Sequence, residues 1–362
     1  MPAPYELARF AIISMRDSAA EMTTSLQEKP ASQARSADEL RVEFAALVSG
    51  CGVYDLAGRA KISISGGDRV RWLNGMVSNN IRDLEIGHGV YAFLLNPQGR
   101  ILADLYAYHR RDSFVLDVGR DQIAKVWDHF DHYIIMDDVE VADASAKLAA
   151  IGVAGPKSLE VLSQAGLSIP ELAPLQLSDL GWQQIAVTAV RGDNPAVPCY
   201  EVWIAPEHAA QLRVVLLQAG ATAVGGQALE LLRISSGIPR YGQDIRERDL
   251  PQETGQQRAL NFSKGCYIGQ EIVERIRSRG SVHRMFTGFV IDGPLPSPGT
   301  KLQADGKDVG EITSSALLPL TSGEKKVALG YLRREAGTTG DQLQAGEAKA
   351  AVADVPFAGV FA

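Results

Sequence analysis

Lys264-Gly265-Cys266-Tyr267-Ile268-Gly269-Gln270-Glu271 stands apart from the rest of the chain. Two glycines bracket a cysteine, and a lysine stands two residues ahead of it. The apolar spacing of Ile272, Val273 and Ile276 predicts a helix that follows and ends at Gly280. Glycines at such positions let the backbone turn tightly and approach a ligand. A cysteine near a helix N-terminus and a lysine has its thiolate favoured. Gln270 and Glu271, in the first turn, suit the positive end of the helix dipole. Two readings of Cys266 stay open from the residues alone. It is a reactive thiol, or it packs as a small hydrophobe, the commoner fate of a free cysteine. His283 is the nearest histidine, but no spacing fixes it as the thiol's partner.

Upstream of this stretch the pattern mixes strands and helices. Residues 1–36 read as an appendage, with a helix over Tyr5–Met22 and a linker from Glu28 to Ser36; an ordered core is expected from Ala37. Strands are expected between Val53 and Ile64, where Lys61-Ile62-Ser63-Ile64-Ser65 alternates polar and apolar. Asp68 is a candidate cap for a helix carrying Val70, Leu73 and Met76. Tyr91–Leu95 and Ile101–Tyr108 form a hairpin across the turn Asn96-Pro97-Gln98-Gly99. Helices are expected over Asp121–Tyr133, after Lys157, and over Glu207–Ala219 and Gly226–Gly237; strands over Val139–Val153, Ile185–Val190 and Tyr200–Ile204. With no regular βαβ period, the class is α+β rather than a doubly wound sheet. After Gly280 come short strands between Gly/Pro turns, at Phe286–Ile291, Lys301–Gln303, Gly310–Ser314, Val327–Tyr331 and Ala348–Val352, which indicate a small β-barrel or sandwich.

Composition narrows the function classes. The chain has 362 residues, 46% hydrophobic and 22% charged, with a net charge of −7. That length implies two or three domains. The acidic balance argues against bulk binding to nucleic acid or anionic membrane. Apolar runs such as Phe10–Met15 are too short to span a bilayer, and no secretory signal is evident. Three cysteines, Cys51, Cys199 and Cys266, with no CxxC, indicate no disulfide scaffold and no self-contained metal site. They point to a reducing compartment, and a cytoplasmic location is expected.

The octapeptide matches, at each fixed position, the Lys-Gly-Cys-(Phe/Tyr)-x-Gly-Gln-Glu signature of the YgfZ family, folate-binding relatives of the glycine-cleavage T protein. The resemblance extends from about Gly52 to Phe357. Arg233–Gly242 resembles the family's Arg-x-x-x-Gly-Ile-Pro segment, and Leu250-Pro251-Gln252-Glu253 its proline-containing turn. Gly310–Ser314 and Ala328–Tyr331 resemble segments of the C-terminal barrel. The resemblance implies a three-domain clover-leaf around a channel that holds tetrahydrofolate or a one-carbon derivative, possibly polyglutamylated. Residues 37–283 would form the folate-binding region of two interleaved α+β subdomains, and 284–362 the barrel.

Carried over by position, the resemblance implies the following roles. Glu201, in Tyr200-Glu201-Val202, would pair with the pteridine edge, which a carboxylate can accept in bidentate fashion. Tyr91 would stack on or hydrogen-bond the folate. The T protein's Gly-Gly-x-x-Asp-Asp motif becomes Gly99-Arg100-Ile101-Leu102-Ala103-Asp104, so half of the carboxylate pair is missing and the environment of Asp104 is expected to change. Leu229 replaces one of two helix arginines; the other, Arg233, would clamp a folate carboxylate or make a structural ion pair. Lys264, Arg275, Arg277, Arg279 and Arg284 outnumber Glu271 and Glu274, which reads either as a patch for a polyglutamyl tail or as an ordinary solvated helix face.

Three functions follow. The first is folate-dependent support for assembly or repair of iron–sulfur enzymes, some of which modify tRNA. Here Cys266 would be the functional thiol, with Lys264, Gln270 and Glu271 shaping its surroundings. One thiol cannot hold a cluster that takes about four thiolates, so any cluster contact would be shared with a client enzyme or small thiol. The second is aminomethyl transfer to tetrahydrofolate, with Asp104 in the chemistry. The third is a folate sensor without catalysis.

Overall fold

The computed structural model describes residues 36–280 and 282–361, with the side chain of Arg279 also left undescribed. The helix expected over Tyr5–Met22, and the linker up to residue 35, lie outside the described residues. The first helix, α1 (Ala37–Ser49), starts at a capping box: Ser36 Oγ accepts the Glu39 amide at 3.2 Å and Glu39 accepts the Ser36 amide at 2.8 Å. The body of the molecule runs from Arg41 onward.

Its elements follow in chain order. First come β1 (Gly52–Asp55), β2 (Arg59–Ser65), α2 (Arg69–Met76), β3 (Gly89–Leu95), β4 (Ile101–His109), β5 (Phe114–Gly119) and α3 (Ile123–Tyr133). Next are β6 (Glu140–Asp143), β7 (Ala149–Ala154), α4 (Ser158–Gln164), β8 (Leu177–Trp182), β9 (Ile185–Arg191), β10 (Cys199–Ile204), α5 (Pro206–Gln218), β11 (Thr222–Ala223) and α6 (Gly226–Ser235). The helix after the signature is α7 (Gln270–Arg279). The last strands are β12 (Arg284–Asp292), β13 (Lys301–Ala304), β14 (Lys307–Leu320), β15 (Gly323–Arg333), β16 (Gln342–Ala345) and β17 (Ala348–Ala353).

Three sheets result. One has the order β3-β4-β5-β2-β6 and is antiparallel throughout. Its apolar face, with Ile62, Ile64, Leu105 and Leu116, is covered by α2 and α3, whose Trp72 and Phe130 meet edge to face at 5.0 Å. The second has the order β11-β1-β7-β10-β9-β8, with one parallel pair, β1 with β11. The third closes into a barrel, β12-β15-β14-β13-β16-β17, filled by Phe289, Leu302, Ile312, Leu343 and Ala350. The expected α+β class and the C-terminal barrel are what the chain forms.

Details depart from expectation. Asp68 makes no side-chain cap to α2; its carboxylate accepts the Asp138 amide at 2.9 Å and pairs with Arg71 instead. The short barrel strands at Gly310–Ser314 and Val327–Tyr331 are parts of the long β14 and β15. β14 bulges between Ile312 and Ser314, and the bulge aims the Thr313 and Ser314 hydroxyls out of the ladder toward Asp244.

The segment from Gly237 to Gly269 ties these bodies together through buried carboxylates. Asp244 is wholly buried and accepts Arg233 at 2.7 Å, the Arg240 amide at 2.9 Å and Ser314 Oγ at 2.7 Å. Asp249, also wholly buried, accepts Arg284 at 2.7 Å. Such charges are tolerable inside a protein only when paired and hydrogen-bonded.

Candidate functional site

Strand alternation decides what faces a cavity of about 310 Å³ between Arg59, Tyr91, Asp104 and Arg240. On β4, Ala103 is wholly buried in the apolar core while Asp104, one step on, lines the cavity. The alanine in the Asp-Asp motif therefore extends the core and takes nothing from the cavity wall. Ala103 thus stands on the core face of β4 and Asp104 on the cavity face. Each Asp104 oxygen accepts one hydrogen bond: Oδ2 from Tyr91 OH at 2.8 Å, Oδ1 from Gln122 Nε2 at 3.0 Å. Gln122 Oε1 also accepts the Asp104 amide at 3.0 Å, so one glutamine clamps the residue from both sides. A carboxylate oxygen accepts about two hydrogen bonds, which leaves half the capacity of Asp104 for a ligand.

Burial, then the charge of Asp104, pushes the Tyr91 hydroxyl well above the usual phenol range, so it stays a donor. The Arg258 guanidinium lies 4.4 Å from the centre of the Tyr91 ring and pairs with Asp193, which also accepts Tyr106 OH at 3.1 Å. Tyr91 and Tyr106 pack at 5.0 Å, giving the cavity an aromatic wall.

Behind this wall runs an ion-pair chain that the sequence did not single out. Lys61 and Asp117 face each other across β2 and β5, with Nζ 2.8 Å from Oδ2. Asp117 Oδ1 accepts Arg59 Nε at 2.8 Å, and Lys61 reaches Glu201 Oε2 at 3.2 Å. Burial raises the Asp117 carboxyl, but Arg59 and Lys61 more than reverse this and hold it below the ordinary range. The same Glu201 oxygen accepts Trp203 Nε1 at 2.7 Å. Glu201 is not among the residues lining the cavity; it joins the wall through Lys61, Asp117 and Arg59. A signal for this chain was in the sequence at Asp117, a single charge inside the otherwise apolar run Phe114–Gly119. Gln122, Tyr106 and Arg258 carried no comparable signal.

Arg233 lines the cavity, but its donors are used inside the protein. Nε and one terminal nitrogen hold Glu230 at 2.9 and 2.8 Å; the others go to Asp244 at 2.7 Å, Ile238 O at 2.5 Å and Ser314 Oγ at 2.9 Å. A guanidinium has five N–H donors, so none is left for a ligand carboxylate. Of the two roles open to Arg233, the geometry is that of the structural ion pair. Arg240, half exposed at the same cavity, bonds only through one terminal nitrogen, to Glu230 at 2.7 Å and Gln243 at 3.0 Å, and keeps donors free.

The signature loop lies elsewhere. Neither Lys264, Cys266, Gln270 nor Glu271 lines the cavity. Cys266 is exposed, while Cys51 is buried and Cys199 half-buried; all three are free thiols. Gly269 has φ of +83°, and a Cβ there would meet Asn96 O at 2.6 Å. Its close approach is thus to the β3–β4 turn, not to a ligand. Tyr267 and Val273 share an apolar cluster with Tyr91, Phe93 and Ile101, so loop and cavity wall are two sides of one hairpin. Of the five basic residues read as either a patch or a solvated helix face, three are engaged within the protein. Lys264 is 1% exposed, Arg284 is held by Asp249 and Glu253, and Arg277 lies 3.7 Å from Glu274 and over Phe262. The Arg279 side chain lies outside the described residues. No helix of the described residues is long and apolar enough to cross a membrane.

Comparisons with known proteins agree with this architecture. The GCVT N-terminal domain model matches residues 14–264, and the CAF17 C-terminal β-barrel domain model residues 283–358. An aminomethyltransferase of Rippkaea orientalis is 29% identical over 84% of this chain and 85% of its own length. A putative chloroplastic transferase of Arabidopsis thaliana is 26% identical over 85% of this chain and 72% of its own. The glycine cleavage system aminomethyltransferase T from Bartonella henselae superposes with a TM-score of 0.79 over 89% of this chain and 90% of that one, at 22% identity, and so shares the fold. With a GCVT N-terminal domain joined to a CAF17-type barrel, the chain belongs to the YgfZ/CAF17 family of T-protein-like proteins.

Proposed function

We propose that the chain binds tetrahydrofolate, or a one-carbon derivative of it, in the cavity beside Asp104, and that it supports the assembly or repair of iron–sulfur enzymes through the exposed thiol of Cys266. The observation that carries the folate reading is Asp104, clamped by Tyr91 and Gln122 with half its acceptor capacity turned to the cavity. A reduced pterin presents several N–H donors, and Tyr91 and Tyr106 offer its ring an aromatic wall. The free donors of Arg240 suit the glutamyl carboxylates that Arg233 cannot take. The volume of about 310 Å³ is at the lower end of small-molecule sites, so the cavity would take the pterin and leave the tail toward its mouth.

The thiol reading rests on the exposure of Cys266 and on the signature around it. In this reading folate and thiol act at separate places joined by one hairpin. A second reading is aminomethyl transfer to tetrahydrofolate. It is favoured by the position of Ala103, whose burial leaves the cavity carboxylate intact. In that case Asp104→Asn would abolish turnover and Cys266→Ala would not.

Equilibrium dialysis of the folded protein against tetrahydrofolate under anaerobic conditions tests the first part, which absence of binding would overturn. Complementation of cells lacking the protein tests the second, with activity of iron–sulfur enzymes as readout. Cys266→Ser is expected to fail, and full complementation by it would end the thiol reading.

A further inference from the structure

The most unusual charged group outside the cavity is Lys264, whose ammonium is buried without any carboxylate on it among the described residues. Nζ donates to two backbone carbonyls, Asn74 O and Val77 O, the latter at 2.5 Å, and lies 4.8 Å from the centre of the Tyr267 ring. Those carbonyls belong to the last turn and the cap of α2. A helix leaves its final carbonyls without partners, and its C-terminal end attracts a cation.

Other bonds complete the same joint. Ile268 N donates to Gly75 O at 3.1 Å, Asn261 N to Ser78 O at 3.0 Å, and Asn74 Nδ2 to Lys264 O at 3.5 Å. The signature segment is thus the C-terminal cap of α2, and α2 is the clasp of the signature segment. On the far side, Gly269 rests on Asn96 and Gly99 of the β3–β4 turn. Cys266 stands between these two anchorages, at Lys264 and at Ile268–Gly269.

We infer that Lys264 is a positioning residue, which pins the loop carrying Cys266 to the end of α2 and so fixes where the exposed thiol is presented. Two of its three N–H donors are used on carbonyls and the ammonium lies over the Tyr267 ring, so its part is to hold backbone rather than to stabilise a thiolate. This rests on the reading of Cys266 as a functional thiol, but the pin can be tested whether or not that reading stands.

The test compares wild type, Lys264→Met and Lys264→Arg in the full chain. Hydrogen exchange at the Ile268 and Asn261 amides reads the pin directly. Alkylation of Cys266 by iodoacetamide across pH reads the thiol. Lys264→Met is expected to speed exchange at both amides by about tenfold or more, while amides in the β12–β15 pair keep their protection. Lys264→Arg, which keeps a cation with donors for both carbonyls, is expected to recover most of it. The pH profile of alkylation is expected to have the same midpoint in Lys264→Met as in wild type. Unchanged exchange, with an alkylation profile displaced to higher pH, would make Lys264 an activator of the thiol and overturn the proposal. Should Lys264→Met fail to fold, Lys264→Gln, which keeps two N–H donors on a shorter arm, is compared in the same way. Failure of Cys266→Ser to impair cells would remove the thiol's role and leave the exchange result to judge the pin alone.

Discussion

Asp104 in the cavity and Lys264 in the signature loop are both ionisable groups held by neutral partners, yet they are held in different ways. Asp104 accepts from a phenol and an amide and keeps room for further donors, on a half-buried wall that opens into a cavity. Lys264 is closed off from solvent, with two of its three hydrogens on backbone carbonyls and the Tyr267 ring beside it. A charged group with capacity left over, facing a space, is arranged for a ligand. A charged group whose capacity is used by the chain itself is arranged for architecture. Arg233 repeats the second case at the edge of the first, since it borders the cavity with all its donors engaged. The position of a charged residue in a family motif therefore does not say which kind it is; its hydrogen bonds do.

The largest effect that would sharpen this comparison is expected at Asp117. Asp117→Ala leaves Lys61, 2% exposed, with Glu201 as its remaining partner and removes the carboxylate that orients Arg59. Breaking a buried pair from one side costs about 3–5 kcal/mol. A large fall in the denaturation midpoint should appear together with weakened folate binding. A fall in stability with binding unchanged would separate the ion-pair chain from the cavity.

A smaller effect is expected at the contact between the loop and the hairpin. Gly269→Ala forces a side chain into the left-handed region against Asn96 O, at a cost of about 1–3 kcal/mol. The loss should be visible in thermal unfolding and in faster exchange at Ile268. If it also weakens folate binding, loop and cavity are coupled through the shared hairpin.

A third effect is a pH dependence. Burial pushes the Lys264 ammonium down to about 7, against the pull of the two carbonyls. The unfolded chain then binds the extra proton between about pH 7 and the ordinary lysine range, so folding gains stability as pH rises through that window. The gain is at most about 1.4 kcal/mol per pH unit. Lys264→Met lacks this titration, so the stability of wild type relative to the variant should rise from pH 7 to 9. A neutral amine retains two N–H donors for two carbonyls, so the pin should outlast deprotonation. A relative stability that stays flat over that range would mean the ammonium is not desolvated in solution.

Much of the architecture was legible because turn chemistry and alternation declare themselves locally. The β3–β4 hairpin follows from Asn96-Pro97-Gln98-Gly99, where Gly99 takes φ of +68° and its amide reaches Asn96 O at 2.9 Å. β5 did not show, because a strand buried on both faces has no alternation and Asp117 interrupts its apolar run. β8 did not show either, since its Ser178, Asp179 and Gly181 read as loop. At the site, Tyr91 and Asp104 were found through motif positions on adjacent strands. Gln122 and Arg258 come to Asp104 and Tyr91 from 18 and 167 residues away along the chain, through packing that no local pattern records. The burial of Lys264 was equally hidden, because a lysine between a serine and a glycine reads as solvated.

The central claim is that ligand binding belongs to the cavity and the thiol to a separate loop. Anaerobic calorimetric titration with tetrahydrofolate of wild type, Asp104→Asn and Cys266→Ser tests it most directly. The expected result is binding by wild type and by Cys266→Ser alike, with Asp104→Asn weaker by about tenfold or more, as loss of a charge-assisted hydrogen bond requires. Wild-type affinity in Asp104→Asn together with loss of binding in Cys266→Ser would contradict it and put the ligand at the signature loop.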